Sequence, residues 1–146
     1  MRVFLDANVI FSASAKGSAT GMLAAAVIQA GMAIVNAHVL DEARRNLAAK
    51  RAGQLGEFAR LCALLELTTA FYAGALPPLP AEDQPVLAGA VGARCTHLWT
   101  SDRRHFGALY GTTFHGVQIV TSMQLADQLA ARGAAAGAAK SLKLKS

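Results

Sequence analysis

Cysteine is scarce in this chain. Cys62 and Cys95 are the only two among 146 residues. Neither belongs to a CxxC pair, so the pattern of a zinc cluster is missing, and both read as buried thiols acting as small hydrophobes. Long apolar runs are missing too. Hydrophobic residues make up 53% of the chain, with alanine supplying much of that share, yet no uninterrupted stretch approaches the roughly 20 residues a membrane span requires. The N-terminus lacks a positive region followed by a long apolar stretch and a cleavage site. These absences set the expectation of a cytoplasmic protein with no membrane association. Histidine and cysteine nowhere cluster at ligand spacing, and no internal repeat is visible.

The length suits one domain. A chain of this size buries roughly 68–70% of its unfolded surface, so neither disulfide nor structural metal is needed for a core. The net charge is +5, a balance that suits an anionic partner such as nucleic acid. Three of those charges, Lys140, Lys143 and Lys145, lie in the last seven residues, and without them the body carries +2. The expected organisation is a domain over 1–133 and a flexible basic tail over 134–146.

Short apolar runs alternate with longer helical stretches. Strands are expected at 2–5, 33–36, 68–72, 96–100 and 117–120. Helices are expected at 18–31, 38–53, 56–67, 82–94 and 122–133, the first two closed by glycine. The stretch "GALPPLPAED" holds three of the four prolines and reads as a loop. Repeated β-then-α order implies α/β architecture, with parallel strands and helices on both faces.

Open sheets of this kind place their sites at the carboxyl ends of the strands. Asp6 follows the first strand in "VFLDANVIFSA", and Asp102 follows strand 96–100 after one serine. If both strands are central and parallel, the two carboxylates reach the same edge. The helix from 38 opens at that edge with Asp41 and Glu42. Its apolar face is Val39, Leu40, Ala43 and Leu47, which sets Glu42 at the inward border and turns Asp41 away. The helix from 82 begins with Glu82 and Asp83, and Asp83 reads either as a site acid or as a helix cap. Four converging carboxylates repel one another. A hard divalent cation, Mg²⁺ or Mn²⁺, removes that conflict. Beyond the mouth, Arg103, Arg104 and His105 are placed to meet phosphates or form a solvated turn. Arg44, Arg45, Lys50 and Arg51 read as a solvated helix face, and Trp99 as core.

In this pattern the chain resembles the PIN domain, the nuclease fold of VapC-type toxin ribonucleases and their relatives. "VFLDANVIFSA" is similar to the family's opening strand and first acid, giving Asp6 with Asn8 and Ser12 as polar companions. "VLDEARRNL" gives Glu42. "EDQPVLAGAVGARCTHLWTSDRRHF" gives Asp83 and Asp102, with Thr100 and Ser101 lining the site. "GVQIVTSMQLADQL" is similar to the last strand and helix. The opening differs from the family's more frequent Asp-Thr-Asn, since Ala7 lacks the hydroxyl. The resemblance implies a three-layer α/β/α sandwich around a mostly parallel five-stranded sheet. It further implies Mg²⁺- or Mn²⁺-dependent hydrolysis of RNA phosphodiester bonds, frequent homodimers and, for a toxin, an antitoxin protein partner. Asp6, Glu42, Asp83 and Asp102 would be the metal-holding and catalytic acids. Asn8, Ser12, Thr100 and Ser101 would fix carboxylate rotamers from behind, and Arg103 and Arg104 would contact RNA phosphates.

Other readings of the same residues differ in class. A haloacid-dehalogenase-type phosphatase needs a second aspartate where this chain has Asn8. A phospho-accepting receiver domain needs an early acidic pair, a central aspartate and a later lysine in the right strand order, and it fits worse. A catalytically silent RNA- or protein-binding module on the same fold keeps the four acids without activity.

Overall fold

The computed structural model describes every residue except Lys16 and Ser146, with side chains described for 1–15 and 17–133. Among the described residues, six strands form one sheet: β1 (Val3–Leu5), β2 (Ala33–Val35), β3 (Glu66–Leu67), β4 (His97–Trp99), β5 (Thr113–Phe114) and β6 (Val117–Val120). Their order is β3-β2-β1-β4-β6-β5. β3, β2, β1, β4 and β6 run parallel, and only the edge strand β5 is antiparallel. The mostly parallel α/β sheet is the expected one. The sixth strand arises from a hairpin, in which His115 and Gly116 both take positive φ (46° and 82°) between Phe114 and Val117. Such a two-residue turn matches strand twist.

The strands β1, β2 and β4 are short and buried because both faces are covered. Val3, Phe4, Ile34, Val35, Leu98 and Trp99 are each 0% exposed. Trp99 lies in this core, as expected, with its indole N–H donating to Ser122 Oγ at 2.9 Å. Both cysteines are free thiols, as expected, but only Cys95 is buried and Cys62 is half-buried; burial pushes the Cys95 thiol up to about 11.

Among the described residues, seven α-helices accompany the strands: α1 (Ala7–Ala13), α2 (Ala19–Gln29), α3 (Ala37–Lys50), α4 (Leu55–Cys62), α5 (Gln84–Gly92), α6 (Arg103–Phe106) and, after β6, α7 (Ser122–Lys145). Right-handed crossovers place the β1-to-β2 and β2-to-β3 connections on one face. The chain then returns past β1 to β4, which puts α5 on the other. The winding therefore reverses at β1 and β4. The expected basic tail over 134–146 lies outside the residues whose side chains are described. Among the described residues, no helix is long and apolar enough to cross a membrane.

One strand differs in place. "TTAFY" (68–72) has the β-branched and aromatic composition of a strand, but β3 is Glu66–Leu67 and the pairing continues only through Thr68 N–H to Val35 O. Phe71 and Tyr72 instead cross α5, where Tyr72 N–H donates to Ala88 O at 3.0 Å. Gly92 permits this passage, since a Cβ there would lie 2.5 Å from the Phe71 backbone nitrogen.

Candidate active site

Because β1 and β4 are neighbours at the reversal of winding, the chain leaves their carboxyl ends in opposite directions and opens a crevice. Asp6 leaves β1 as the N-cap of α1, and Asp102 leaves β4 as the N-cap of α6. A cleft of about 360 Å³ lies there, lined by Asp6, Asn8, Glu42, Asp83 and Asp102 together with Phe11, Asn46 and Lys50. The four acids named from the sequence thus face one space.

Asp6 is 2% exposed, and its carboxylate is held by a set of donors. Oδ1 accepts from Ala7 N–H at 2.7 Å, and Oδ2 from Thr100 Oγ1 at 2.8 Å and Asn8 Nδ2 at 3.2 Å. Burial nevertheless raises its pKa above the usual carboxylate range, those hydrogen bonds oppose the rise, and nearby Asp102 adds to it. Asn8 Oδ1 in turn accepts from the Ser101 N–H and hydroxyl, both at 2.9 Å. Asp102 N–H donates to Thr100 Oγ1 at 3.2 Å. Asn8, Thr100 and Ser101 therefore form one polar lattice joining the two strand ends. Ser12 stands apart from it on α1. Its backbone carbonyl accepts from Ser18 Oγ at 2.9 Å and from Ala15 N–H at 3.2 Å.

Glu42 lines the cleft, half-buried, whereas Asp41 faces outward and pairs with Arg44 at 2.5 Å and Arg45 at 3.1 Å. The start of α3 is tied to the start of α5. Asn36 caps α3 by accepting from Val39 N–H at 3.1 Å, and its Nδ2 donates to Pro85 O at 3.2 Å. His38 Nε2 lies 2.8 Å from Glu82 O. Burial raises the pKa of Glu42, and Asp6 raises it further.

Asp83 occupies the N-cap position of α5, but its side chain makes no capping hydrogen bond. It points instead to His105, whose Nδ1 lies 2.7 Å from Asp83 Oδ2 and 2.9 Å from Asp102 Oδ2. These distances are short, yet Asp83 Oδ2 and His105 Nδ1 lack the alignment of a hydrogen bond. The contact is therefore a close approach of the two side chains. Burial pushes Asp83 up to about 6, His105 opposes the rise, and Asp6 and Asp102 reinforce it.

Glu82, Asp83 and His105 each offer a ligand atom within 4.8 Å of the others, an arrangement able to hold a metal ion. Glu82 and His105 were not assigned to the acids from the sequence. His105 was grouped with Arg103 and Arg104, but one turn of α6 swings it back over the acids. Arg103 and Arg104 are exposed, and Arg103 borders a separate, more apolar groove with Tyr110 and Met123. Asn46 and Lys50 were also missed as cleft residues. The available signal was their spacing of four and eight residues from Glu42 on one helix.

No known protein family's sequence profile matches the chain, and no curated protein matches it in sequence. In structure, the chain is similar to one in a crystal structure described as "VapBC2 from Rickettsia felis bound to a DNA fragment from their promoter". The two share 14% identity and a TM-score of 0.62, over 83% of this chain and 98% of that one. At this identity the likeness establishes a shared PIN-like three-layer α/β/α fold.

Proposed function

We propose that this chain is a divalent-metal-dependent ribonuclease that hydrolyses RNA phosphodiester bonds. The observation that carries the reading is the meeting of Asp6, Glu42, Asp83 and Asp102 around one cleft at the reversal of the sheet. Burial first, and neighbouring carboxylates after it, raise the pKa of Asp6, Glu42 and Asp83. A cation resolves that conflict.

The residues fit such a cation. Asp83 Oδ2 is buried without an aligned hydrogen bond, and the donor set is mainly hard carboxylate oxygen. Oxygen-rich sites suit Mg²⁺ or Mn²⁺ better than a softer ion. Asp6, Glu42, Asp83 and Asp102 would hold it. Bound there, the cation would lower the pKa of water and offset charge on the phosphoryl oxygens. Thr100 and Asn8 keep Asp6 in one rotamer, and Ser101 fixes Asn8 in turn. One of the four acids would orient the attacking water and take its proton.

The similar chain comes from a complex described as VapBC2 on promoter DNA. By analogy, we assign this chain the role of toxin in a toxin–antitoxin pair, with a protein antitoxin as partner. Growth arrest on expression, relieved by the product of the adjacent gene, is the expected behaviour.

The test of the nuclease reading is cleavage of end-labelled RNA by the purified full chain with Mn²⁺. Wild type is expected to cut and Asp6→Asn to leave only the no-enzyme background. Equal cleavage by the two proteins would reduce the chain to a binding module.

A further inference from the structure

The acid site uses only part of the cleft. Its remaining wall comes from α1 and α3, and no role in the proposed hydrolysis has been assigned to it. Glu42, Asn46 and Lys50 recur every four residues along α3, and all three border the cleft. Eight residues of helix span about 12 Å. Side chains on a helix lean toward its N-terminus, so the Lys50 stem inclines toward Asn46. Among the described residues, no carboxylate pairs with Lys50. The neighbouring cations are engaged: Arg44 and Arg45 hold Asp41, and the Arg51 guanidinium lies 5.3 Å from the centre of the Phe11 ring. Phe11, carried by α1, borders the same cleft.

The cleft is therefore polarised. One end is a concentration of carboxylates that repels phosphate. The other combines a free ammonium, a half-buried amide and an aromatic ring backed by a guanidinium. A polyanion entering such a cleft needs a cation to bind beside the acids. Unpaired bases stack on aromatic rings, and the ring does not discriminate strongly among them.

We propose that Phe11, Asn46 and Lys50 form a subsite for one unpaired nucleotide of the RNA, adjoining the phosphate to be cut. Lys50 takes that nucleotide's phosphate, Phe11 stacks its base, and Asn46 hydrogen-bonds between them. The subsite rests on the ribonuclease reading and specifies its substrate as single-stranded at this position. Double-stranded RNA, with its bases already stacked, does not satisfy it.

The test uses the full chain, a fluorescein-labelled oligouridine for anisotropy and the same oligonucleotide carrying one 2-aminopurine. Both are titrated in EDTA, so that no cleavage intervenes. Lys50→Gln is expected to weaken binding about tenfold and to reduce the slope of log K against log salt by about 0.7, with Lys50→Arg restoring both. Phe11→Leu keeps an apolar side chain and so the packing, but is expected to lose the 2-aminopurine quenching seen with wild type. In Mn²⁺-driven cleavage, both variants raise KM with little change in kcat. Wild-type affinity, slope and quenching in Lys50→Gln and Phe11→Leu overturn the subsite even while wild type cuts RNA. Failure of wild type to cut RNA is the separate result that removes the nuclease reading.

Discussion

Thr100 Oγ1 donates to Asp6 Oδ2 at 2.8 Å across 94 residues of chain. The same oxygen accepts from Asp102 N–H at 3.2 Å. One hydroxyl thus joins the two strand-end acids, and neither partner has free access to water: Thr100 is 0% exposed and Asp6 2%. Thr100→Val keeps the shape and removes the donor. Asp6 Oδ2 then keeps only the Asn8 donor, and a lost hydrogen bond to a charged group costs about 1.5–3 kcal/mol, so chemical denaturation should show a loss in that range. Mn²⁺ affinity should fall about 10–100-fold, as it does when groups supporting metal ligands are removed. Thr100→Ser should recover most of both.

Gly89 is where α5 meets the cap of α3. An added Cβ would lie 2.5 Å from Asn36 Nδ2 and 3.2 Å from the Phe4 ring. Gly89→Ala is therefore expected to destabilise by about 1–3 kcal/mol, the range for overpacking, and to break the Asn36-to-Pro85 link. Because that link sets Glu42 near Asp83, the variant should also bind Mn²⁺ more weakly. Thermal melting with and without Mn²⁺ measures both.

Burial, reinforced by Asp6 and Asp102, holds Asp83 up to about 6 in the folded protein against 3.8. The folded state therefore keeps a proton that the unfolded chain has given up. The stabilising contribution is complete below the unfolded value and is lost as pH rises through about 6. Metal-free protein should lose stability between about pH 4 and pH 6, and Asp83→Asn should flatten that part of the profile. Metal requires the ionised carboxylate, so Mn²⁺ affinity should run the other way. Below about pH 6 it should drop close to tenfold per unit, as one proton competes with one cation. Calorimetric titrations at a series of pH values check the slope.

How far the sequence disclosed this arrangement can be followed residue by residue. Asp6 and Asp102 were readable because a buried strand ending in an acid fixes the acid's place at the sheet edge. The choice of Glu42 over Asp41 came from helical periodicity, and the ion pairs of Asp41 with Arg44 and Arg45 give its physical counterpart. Asp83 was ambiguous because the N-cap position suits a capping acid. Its turn toward His105 depends on α6, a helix of four residues with no periodicity to detect. The His115–Gly116 turn escaped because His-Gly is not one of the Asn-Gly or Asp-Gly pairs that mark a two-residue hairpin turn in a sequence. Residues 68–72 had strand composition, but their partners were already fixed: β2 pairs with Glu66 and Leu67, and α5 takes the segment that follows. Lys50 looked like part of a solvated face because nothing local in the chain marks which side of a helix end borders a cleft.

His105 bridges two acids that otherwise repel. In metal-free protein, His105→Ala should lower the melting temperature, because Asp83 and Asp102 lose their common neighbour. Saturating Mn²⁺ should recover much of that loss, since it neutralises the same oxygens, and the gain should grow with metal concentration. Scanning calorimetry over a Mn²⁺ series is the measurement.

The most direct measurement is calorimetric titration of Mn²⁺ into metal-free wild type, Asp6→Asn and Asp102→Asn at pH 7.5. Saturable binding in wild type, weakened at least tenfold by each substitution although the two residues lie far apart in the chain, is the predicted result. Binding that neither substitution changes, or no binding by a folded wild-type protein, would contradict the claim that these acids share one cation.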